Sequence, residues 1–190
     1  MSYHIHTTDA FIISTVPRGE RNCSLLFITE ELGTLYAHAQ GVRVLTSKLR
    51  SHLIPHAFIH VSLVRGRSEW RVVGAEGLVR LDRLPTMPRA SLLRCLSLAA
   101  HTTVPDDPHT NHFALMREAL TVFMNTDEDS MPALELLTVL KIIYHAGFLP
   151  DDAEVSPYLG VPLSSESAQN FTPLLQHGLL VANRALLRMQ

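Results

Sequence analysis

Seven basic residues in the first half of the chain fall in segments that the sequence pattern marks as turns or loops. They are Arg18, Arg21, Arg43, Lys48, Arg50, Arg65 and Arg67. Guanidinium and ammonium groups bind phosphate, and each phosphate they neutralise releases counterions. If the neighbouring strands close into a small barrel, these turns meet at one face and predict a surface that follows a nucleic-acid backbone. The alternative interpretation is that scattered arginines only solvate loops.

Single-strand binders also present aromatic rings on which bases stack. Tyr36 lies on the polar face of its predicted strand, so we predict that it stacks a base. Trp70 flanks the last predicted hairpin, but the lone tryptophan of a small barrel usually fills its interior, and a core position is favoured. Phe27 lies in a strand that is apolar on both faces and is predicted to be core.

Eleven histidines raise the question of a metal site. His52, His56 and His60 are spaced by four, which would place them on one face of a helix as metal ligands. However, Pro55 and the strand-like sequence FIHVS argue against a single helix through all three. We therefore predict no metal site and no cofactor in this segment.

The second half contains a further set of possible zinc ligands, Cys95, His101, His109 and His112. Their spacing fits no standard zinc finger, and a buried thiol with solvated loop histidines is the simpler interpretation. The sequence also lacks the G-x-S-x-G, P-loop and G-x-G-x-x-G motifs. Adjacent carboxylates such as Asp151 and Asp152 lie in loops, where turn and capping roles are usual. We expect a binding protein and not an enzyme.

Composition fits a folded protein of one or two domains. The chain has 190 residues, of which 46% are hydrophobic and 18% charged, and a net charge of −2. The first 84 residues carry ten Lys and Arg against seven Asp and Glu, whereas the remainder carries six against eleven. This asymmetry predicts two parts with different partners. We expect a cytoplasmic protein, because two cysteines, no visible secretory signal and no long apolar run fit that compartment.

The hydrophobic pattern changes period near Pro85, which predicts an α+β fold with a break between two domains. Residues 1–84 are predicted to form a five-stranded OB-fold β-barrel that binds nucleic acid. Residues 85–190 are predicted to form an α-helical bundle that contacts a partner. The predicted strands are 10–16, 23–29, 34–40, 57–64 and 69–75, and the predicted helices are 90–100, 111–125, 132–146 and 164–177. Gly33 is predicted to supply a hairpin turn, and Gly147 and Gly178 to end helices.

Six segments of the first half follow one another in a characteristic order: Gly19-Glu20-Arg21-Asn22, Leu25-Leu26-Phe27-Ile28-Thr29, Glu31-Leu32-Gly33, Ala37 to Arg43, Leu53-Ile54-Pro55 and Leu63 to Glu69. In this order they resemble the bacterial RecO recombination-mediator proteins. In the second half, Glu135 to Leu140 leading to Gly147-Phe148-Leu149-Pro150-Asp151 resembles the helix of this family that ends in Leu-Gly-Tyr-x-Pro-Asp. The likeness covers most of residues 9–151.

Two features depart from the family pattern. Many members carry a four-cysteine zinc site after the Pro-Asp segment, and this sequence has no cysteine beyond Cys95. The second basic residue that usually follows Arg43 is replaced by Val44, and position 22 is Asn. These changes predict a weaker DNA-binding edge on an unchanged fold.

The resemblance implies a DNA repair and recombination mediator. Such a protein binds single-stranded DNA, promotes annealing of complementary strands and assists recombinase loading in a RecF-type pathway; binding of double-stranded DNA is left open. The implied partners are a RecR-like protein and the acidic tail of the single-strand-binding protein, with no membrane. The alternative function is a protein-interaction module whose OB-fold has lost most of its DNA affinity.

Overall fold

The computed structural model describes residues 4–103 and 110–189. The chain divides into two compact units. The first contains residues 4–83, Thr103 and the start of the second long helix up to Phe113, and the second contains residues 84–102 and 114–189. The predicted assignment of a nucleic-acid-binding role to residues 1–84 and a partner-binding role to residues 85–190 stays a prediction.

Five strands form the sheet of the first unit. They are β1 (Ile5–Arg18), β2 (Asn22–Thr29), β3 (Gly33–Ala39), β4 (Ala57–Arg65) and β5 (Trp70–Arg80). The sheet closes into a barrel with the order β1-β2-β3-β5-β4. Only the short β3–β5 pairing is parallel. A five-stranded barrel followed by helices confirms the predicted α+β class and agrees with an OB-type architecture.

Strand β1 closes the barrel because it pairs with a neighbour on each side. Its first part pairs with β4, from Ile5 opposite Val64 to Phe11 opposite Phe58, and its second part pairs with β2 as far as Arg18. A register shift between Ile12 and Ser14 marks a β-bulge where one partner takes over from the other. Bulges bend a strand and increase its twist, which a small barrel requires.

The alternating pattern of β3 fixes which side chains fill the barrel. Leu35, Ala37 and Ala39 are buried, whereas Tyr36 between them is exposed, as the sequence predicts. The preceding turn ends at Gly33, whose φ of 69° lies in the left-handed region, so the predicted glycine turn is also confirmed. Phe27 is buried in the same core, again as predicted.

The second half of the chain is helical. The helices are α1 (Thr86–His101), α2 (Thr110–Met124), α3 (Met131–His145), α4 (Ser156–Leu159), α5 (Ser165–Phe171) and α6 (Leu175–Leu187). Helix α3 is buried on almost every side and is the central helix of the second unit. No helix within residues 4–103 and 110–189 is long and apolar enough to cross a bilayer.

Two sets of polar contacts hold neighbouring segments against α3. Arg94 of α1 donates two hydrogen bonds to the Glu135 carboxylate, with an Nη2–Oε2 distance of 2.6 Å, and the Ser91 hydroxyl donates to the same carboxylate at 2.7 Å. Burial of the carboxylate opposes its ionisation, but the Arg94 and Ser91 hydrogen bonds outweigh that effect and the pKa of Glu135 is lowered. Lys141 is buried and donates to the carbonyls of Leu159 and Val161, which ties the chain after α4 to the central helix.

The end of α3 is the glycine stop that the sequence predicts. Gly147 has a φ of 78°, its N–H donates to the Tyr144 carbonyl at 2.9 Å, and the Phe148 N–H donates to the Ile143 carbonyl at 3.1 Å. These bonds satisfy carbonyls that the end of a helix leaves unpaired. Gly147 is therefore confirmed as the C-terminal stop.

The predicted helix over residues 164–177, ending at Gly178, is wrong. The chain forms two helices, α5 and α6, and Gly178 lies inside α6. A Cβ atom on Gly178 would lie 2.8 Å from Cζ of Phe171 and 3.2 Å from Cδ2 of Leu136. This glycine is needed for close packing and not for a turn, which a single sequence does not distinguish.

We expect Gly178→Ala to lower the free energy of unfolding by up to about 2 kcal/mol. Alanine favours a helix over glycine by about 1 kcal/mol, but overpacking of a core costs roughly 1–3 kcal/mol, and the rigid Phe171 ring cannot move aside easily. Urea unfolding of the whole chain measures the difference.

The matched control is Gly160→Ala. Nothing lies within 4 Å of the added Cβ, and the backbone of Gly160 is in the right-handed helical region. This variant should be neutral or more stable by up to about 1 kcal/mol. A Gly178→Ala protein as stable as the Gly160→Ala protein would contradict the packing argument.

Candidate nucleic-acid interface

Glu69 joins three segments of the barrel on its outer surface. Its Oε2 atom lies 3.3 Å from Nη1 of Arg18 at the end of β1 and 2.8 Å from Nε2 of His38 on β3. Glu69 itself belongs to the hairpin between β4 and β5. One carboxylate therefore contacts the end of β1 and strand β3 from this hairpin.

An open groove of about 580 Å³ runs along this hairpin. We call it the hairpin groove, and its lining residues are Gln40, Arg65, Gly66, Arg67, Ser68, Glu69 and Arg71. A smaller adjoining recess is lined by Arg18, Asn22, His38, Gln40 and Glu69. Gln40 and Glu69 line both, so the two form one surface with four guanidinium groups and one carboxylate.

Trp70 supports this surface from beneath. Its side chain is buried in the barrel core, which confirms the prediction that it is a core residue. The guanidinium carbon of Arg65 lies 5.0 Å from the centre of the indole ring, within cation–π range. Trp70 thus restrains Arg65 at the edge of the hairpin groove, and a restrained arginine loses less entropy when it binds a phosphate.

Tyr36 is the exposed aromatic residue of β3, with 56% of its surface accessible. Along β3 it points to the same side as His38, because side chains two apart share a face, and Gln40 follows directly after the strand. His38 is paired with Arg71 of β5. A row of outward side chains on β3 therefore leads from the Tyr36 ring to the hairpin groove.

The loop after β3 carries the other predicted basic residues. Arg43 donates from Nη1 to the Gly19 carbonyl at 2.7 Å, and its N–H donates to the Arg21 carbonyl at 3.1 Å. Arg43 and Arg50 line a recess of about 240 Å³ together with Glu20, Cys23, Val42 and Leu53. Lys48 is exposed in the same loop. We call this second surface the loop recess.

The predicted basic residues therefore separate into two groups beside the turn formed by residues 19–21. Arg18, Arg65 and Arg67 lie at the hairpin groove, and Arg43 and Arg50 lie at the loop recess. Arg21 is exposed in the turn itself. That these residues contact DNA stays a prediction.

Sequence reasoning missed Arg71, His38 and Glu69 as members of this surface. Arg71 follows the inward-facing Trp70, so alternation along β5 predicts that it faces outwards beside the hairpin. The pairing of His38 and Arg18 with Glu69 connects residues far apart in the chain. No local pattern in the sequence signals such a contact.

The histidines considered as metal ligands do not share a helix. His56 has a φ of 57° and precedes β4, and His60 lies on β4, where its Nδ1 is 2.6 Å from Oδ1 of Asp9. Nδ1 of His52 accepts a hydrogen bond from the Gly77 N–H at 3.0 Å. The helical arrangement is therefore absent, in agreement with the argument from Pro55.

The second set of possible zinc ligands also gains no support. Burial raises the pKa of the Cys95 thiol, which disfavours the thiolate that zinc requires. His109 lies outside the described residues. Within residues 4–103 and 110–189, no group of three or more His, Cys, Asp and Glu side chains has an arrangement suited to a metal ion. Asp152 has the predicted turn role, because its carboxylate accepts from the N–H groups of Glu154 and Val155.

Comparison with known proteins identifies three similar sequences, each named DNA repair protein RecO. The chain is 26% identical over 151 residues to the protein from Dehalococcoides mccartyi strain BAV1, which covers 78% of this chain and 58% of that protein. It is 27% identical over 127 residues to the protein of a second strain of this species, covering 66% of the chain and 50% of that protein. A third strain gives 25% identity over 151 residues.

The chain thus spans about half to three fifths of the length of these relatives. No family model matches the sequence. An alignment of 151 of the 190 residues includes part of the barrel and part of the helical region. These three matches support the assignment of this chain to the RecO family of DNA repair proteins.

Proposed function

We propose that this protein acts in DNA repair by binding single-stranded DNA on its barrel. The observation that carries the proposal is the hairpin groove, where Arg65, Arg67 and Arg71 lie beside Arg18 with Glu69 as the single acidic side chain. OB-folds bind oligonucleotides on the face of strands 2 and 3 and on the loops between strands 1 and 2 and between strands 4 and 5. The hairpin groove and Tyr36 occupy the equivalent elements of this barrel.

A single strand would lie with its phosphates along the arginines and a base on Tyr36. Guanidinium groups bind phosphate oxygens through paired N–H donors, and their charge draws the strand into the groove. The exposed ring of Tyr36 offers a stacking surface that is tolerant of sequence. With the phosphates on the arginines and one base on Tyr36, we expect an affinity that depends strongly on salt and weakly on base identity.

Strand annealing follows from the same chemistry. Two complementary strands repel each other through their phosphates, and a protein that neutralises those of one strand lowers the cost of bringing them together. We extend the proposal to the finer activities that the family resemblance implies, namely annealing and assistance in recombinase loading. The proposed protein partners are a RecR-like protein and the acidic tail of the single-strand-binding protein.

We also propose that the chain is a binding protein and not an enzyme. The surfaces at the end of the barrel offer arginines and an aromatic ring, which suit charge neutralisation and stacking. The alternative is a protein-interaction module with little DNA affinity. It is favoured by one observation, the pairing of Glu69 with Arg18 and His38, which offsets part of the positive charge.

The double variant Arg65→Gln/Arg67→Gln tests the hairpin groove. This double variant should bind labelled oligo-dT at least about tenfold more weakly at low salt, because two phosphate contacts are lost. The slope of log affinity against log salt should fall by about 0.7 for each contact. Fluorescence anisotropy titrations at several salt concentrations measure both quantities.

The matched control is Arg184→Gln/Arg188→Gln, which removes the same charge from exposed positions in the helical unit. It should leave the affinity and the salt slope nearly unchanged. The triple variant Arg43→Ala/Lys48→Ala/Arg50→Ala measures the contribution of the loop recess separately. No binding of the wild-type protein even at low salt would reject the proposal in favour of the protein-interaction module.

Tyr36→Ala tests stacking separately from charge. We expect a loss of about 1–3 kcal/mol in binding free energy, because one base loses its platform. The salt slope should stay at the wild-type value, since no phosphate contact is removed. Tyr36→Phe keeps the ring and should retain most of the affinity. A Tyr36→Ala protein with wild-type affinity would exclude Tyr36 from the binding surface.

Glu69→Gln should tighten binding of oligo-dT. The substitution removes the negative charge that holds Arg18 and His38, and so leaves their positive and polar groups available to phosphate. We expect a gain of about two- to fivefold, in keeping with the roughly 0.4–1 kcal/mol typical of exposed ion pairs. Glu154→Gln, which removes an exposed charge in the helical unit, is the control for net charge. Weaker binding by Glu69→Gln would show that the carboxylate instead orders the groove for DNA.

A further inference from the structure

Two imidazole rings meet where β1 begins, that of His4 directly before the strand and that of His6 on its second residue. Nδ1 of His4 lies 3.2 Å from Nε2 of His6, and the ring centres are 4.4 Å apart. The two residues are separated by one position, and such side chains share a face of a strand. His6 is opposite Leu63 of the barrel core, so this face is the inward one at the start of β1.

We propose that His4 and His6 form a two-histidine site for a divalent transition-metal ion, with zinc as the best-fitting metal. Zinc–nitrogen bonds are about 2.0–2.1 Å long, and a tetrahedral angle between two of them separates the nitrogens by about 3.3 Å. The observed nitrogen separation of 3.2 Å is close to this value. The ring centres, 4.4 Å apart, lie closer than in a zinc-bound pair, so the exposed His4 ring must rotate to aim both nitrogens at one ion. The imidazole ring is also a preferred ligand of zinc, copper, nickel and iron.

The same separation also fits a hydrogen bond between the rings. The hydrogen-bonded pair and the metal-bound pair differ in which nitrogen of one ring carries the proton. A neutral imidazole has one protonated and one unprotonated ring nitrogen. When the metal ion enters, the ring that donated the bond moves its proton to its other nitrogen, and both facing nitrogens become ligands. No proton needs to leave the protein, and no oxidation or reduction is involved.

The site is open. One ligand lies in β1 and the other directly before it, and no set of three suitable side chains occurs within residues 4–103 and 110–189. Two water molecules would complete the tetrahedron, one more than in a catalytic zinc site, which has three protein ligands. The Arg65 guanidinium lies over Trp70, the ring that His6 also contacts, and its positive charge opposes a second cation nearby. We therefore expect reversible binding of modest affinity.

The fluorescence of Trp70 can report metal binding at this site. It is the only tryptophan in the chain, and its ring centre lies 5.3 Å from that of His6. A cobalt ion bound to His6 would quench its fluorescence, whereas zinc, which has a filled d shell, would displace cobalt and restore the emission. Cobalt also reports tetrahedral geometry through its visible absorption.

The experiment titrates the whole chain, without a polyhistidine tag, with Co²⁺ and then with Zn²⁺. We expect saturable quenching, one bound ion per chain by equilibrium dialysis, and recovery of fluorescence on addition of zinc. His4→Gln should weaken binding about tenfold or more, because the loss of a ligand costs at least as much as the loss of its supporting contacts. His6→Gln should do the same in dialysis.

His101→Gln is the control, since it removes a histidine of α1 whose ring contacts the Ser97 carbonyl. It should bind cobalt as the wild type does. His4 is exposed, so His4→Gln should fold, and thermal unfolding checks this. Unsaturable quenching, equal binding by His4→Gln, or loss of binding in His101→Gln would each overturn the proposal. The assay contains no DNA, so its outcome is independent of the proposed function.

Discussion

The bend in β1 is the constraint on which the first unit depends. Residues 6 to 18 would span about 40 Å in a straight strand. Yet the His6 ring contacts Trp70, and Arg18 contacts Glu69, the residue directly before Trp70. Both ends of β1 therefore reach the same hairpin, and only a strand that curves strongly can do this. The bulge between Ile12 and Ser14 provides that curvature.

Closure by β1 also decides where the polar groups of the unit gather. The curved strand brings the turn of residues 19–21 to the β4–β5 hairpin, and Arg43 fixes the other side of that turn through the Gly19 carbonyl. Below this layer, Trp70 fills the barrel and carries Arg65 on its face. The arrangement of the surface arginines is thus a consequence of the packing of the core. A substitution that relaxed the bend would separate the arginines without altering any of them.

The sequence allows prediction of features that depend on local pattern. Alternation places Tyr36 outside and Leu35 inside. Gly33 closes the turn before β3 and Gly147 ends α3, because glycine adopts a positive φ easily. The exact reach of the strands was not predictable, since β1 extends from Ile5 to Arg18 and β5 to Arg80 through pairing with neighbours. Tertiary contacts supply that pairing, and strand propensity alone does not reveal them.

The candidate interface shows the same difference between what local pattern reveals and what tertiary contacts decide. The types and positions of the basic residues are visible in the sequence, but their grouping is not, because Arg18 meets Glu69 across 51 positions. Gly178 shows the opposite error, in which a local rule predicted a helix end and the packing of Phe171 required a glycine. Local rules describe what a residue permits. Contacts with distant residues decide which of the permitted roles it takes.

The net charge of −2 does not argue against a DNA-binding role, because binding responds to local and not to total charge. The screening length at 0.1 M salt is about 10 Å, so exposed charges farther from a phosphate contribute little. The hairpin groove and its adjoining recess hold four arginines against one glutamate, whereas the excess of acidic residues lies in the second half of the sequence. Glu69 is then the acidic group that matters most to this surface. Glu69 contacts both Arg18 and His38. In the proposed function, this carboxylate and a DNA phosphate would therefore compete for the same donors, and that competition would set the affinity.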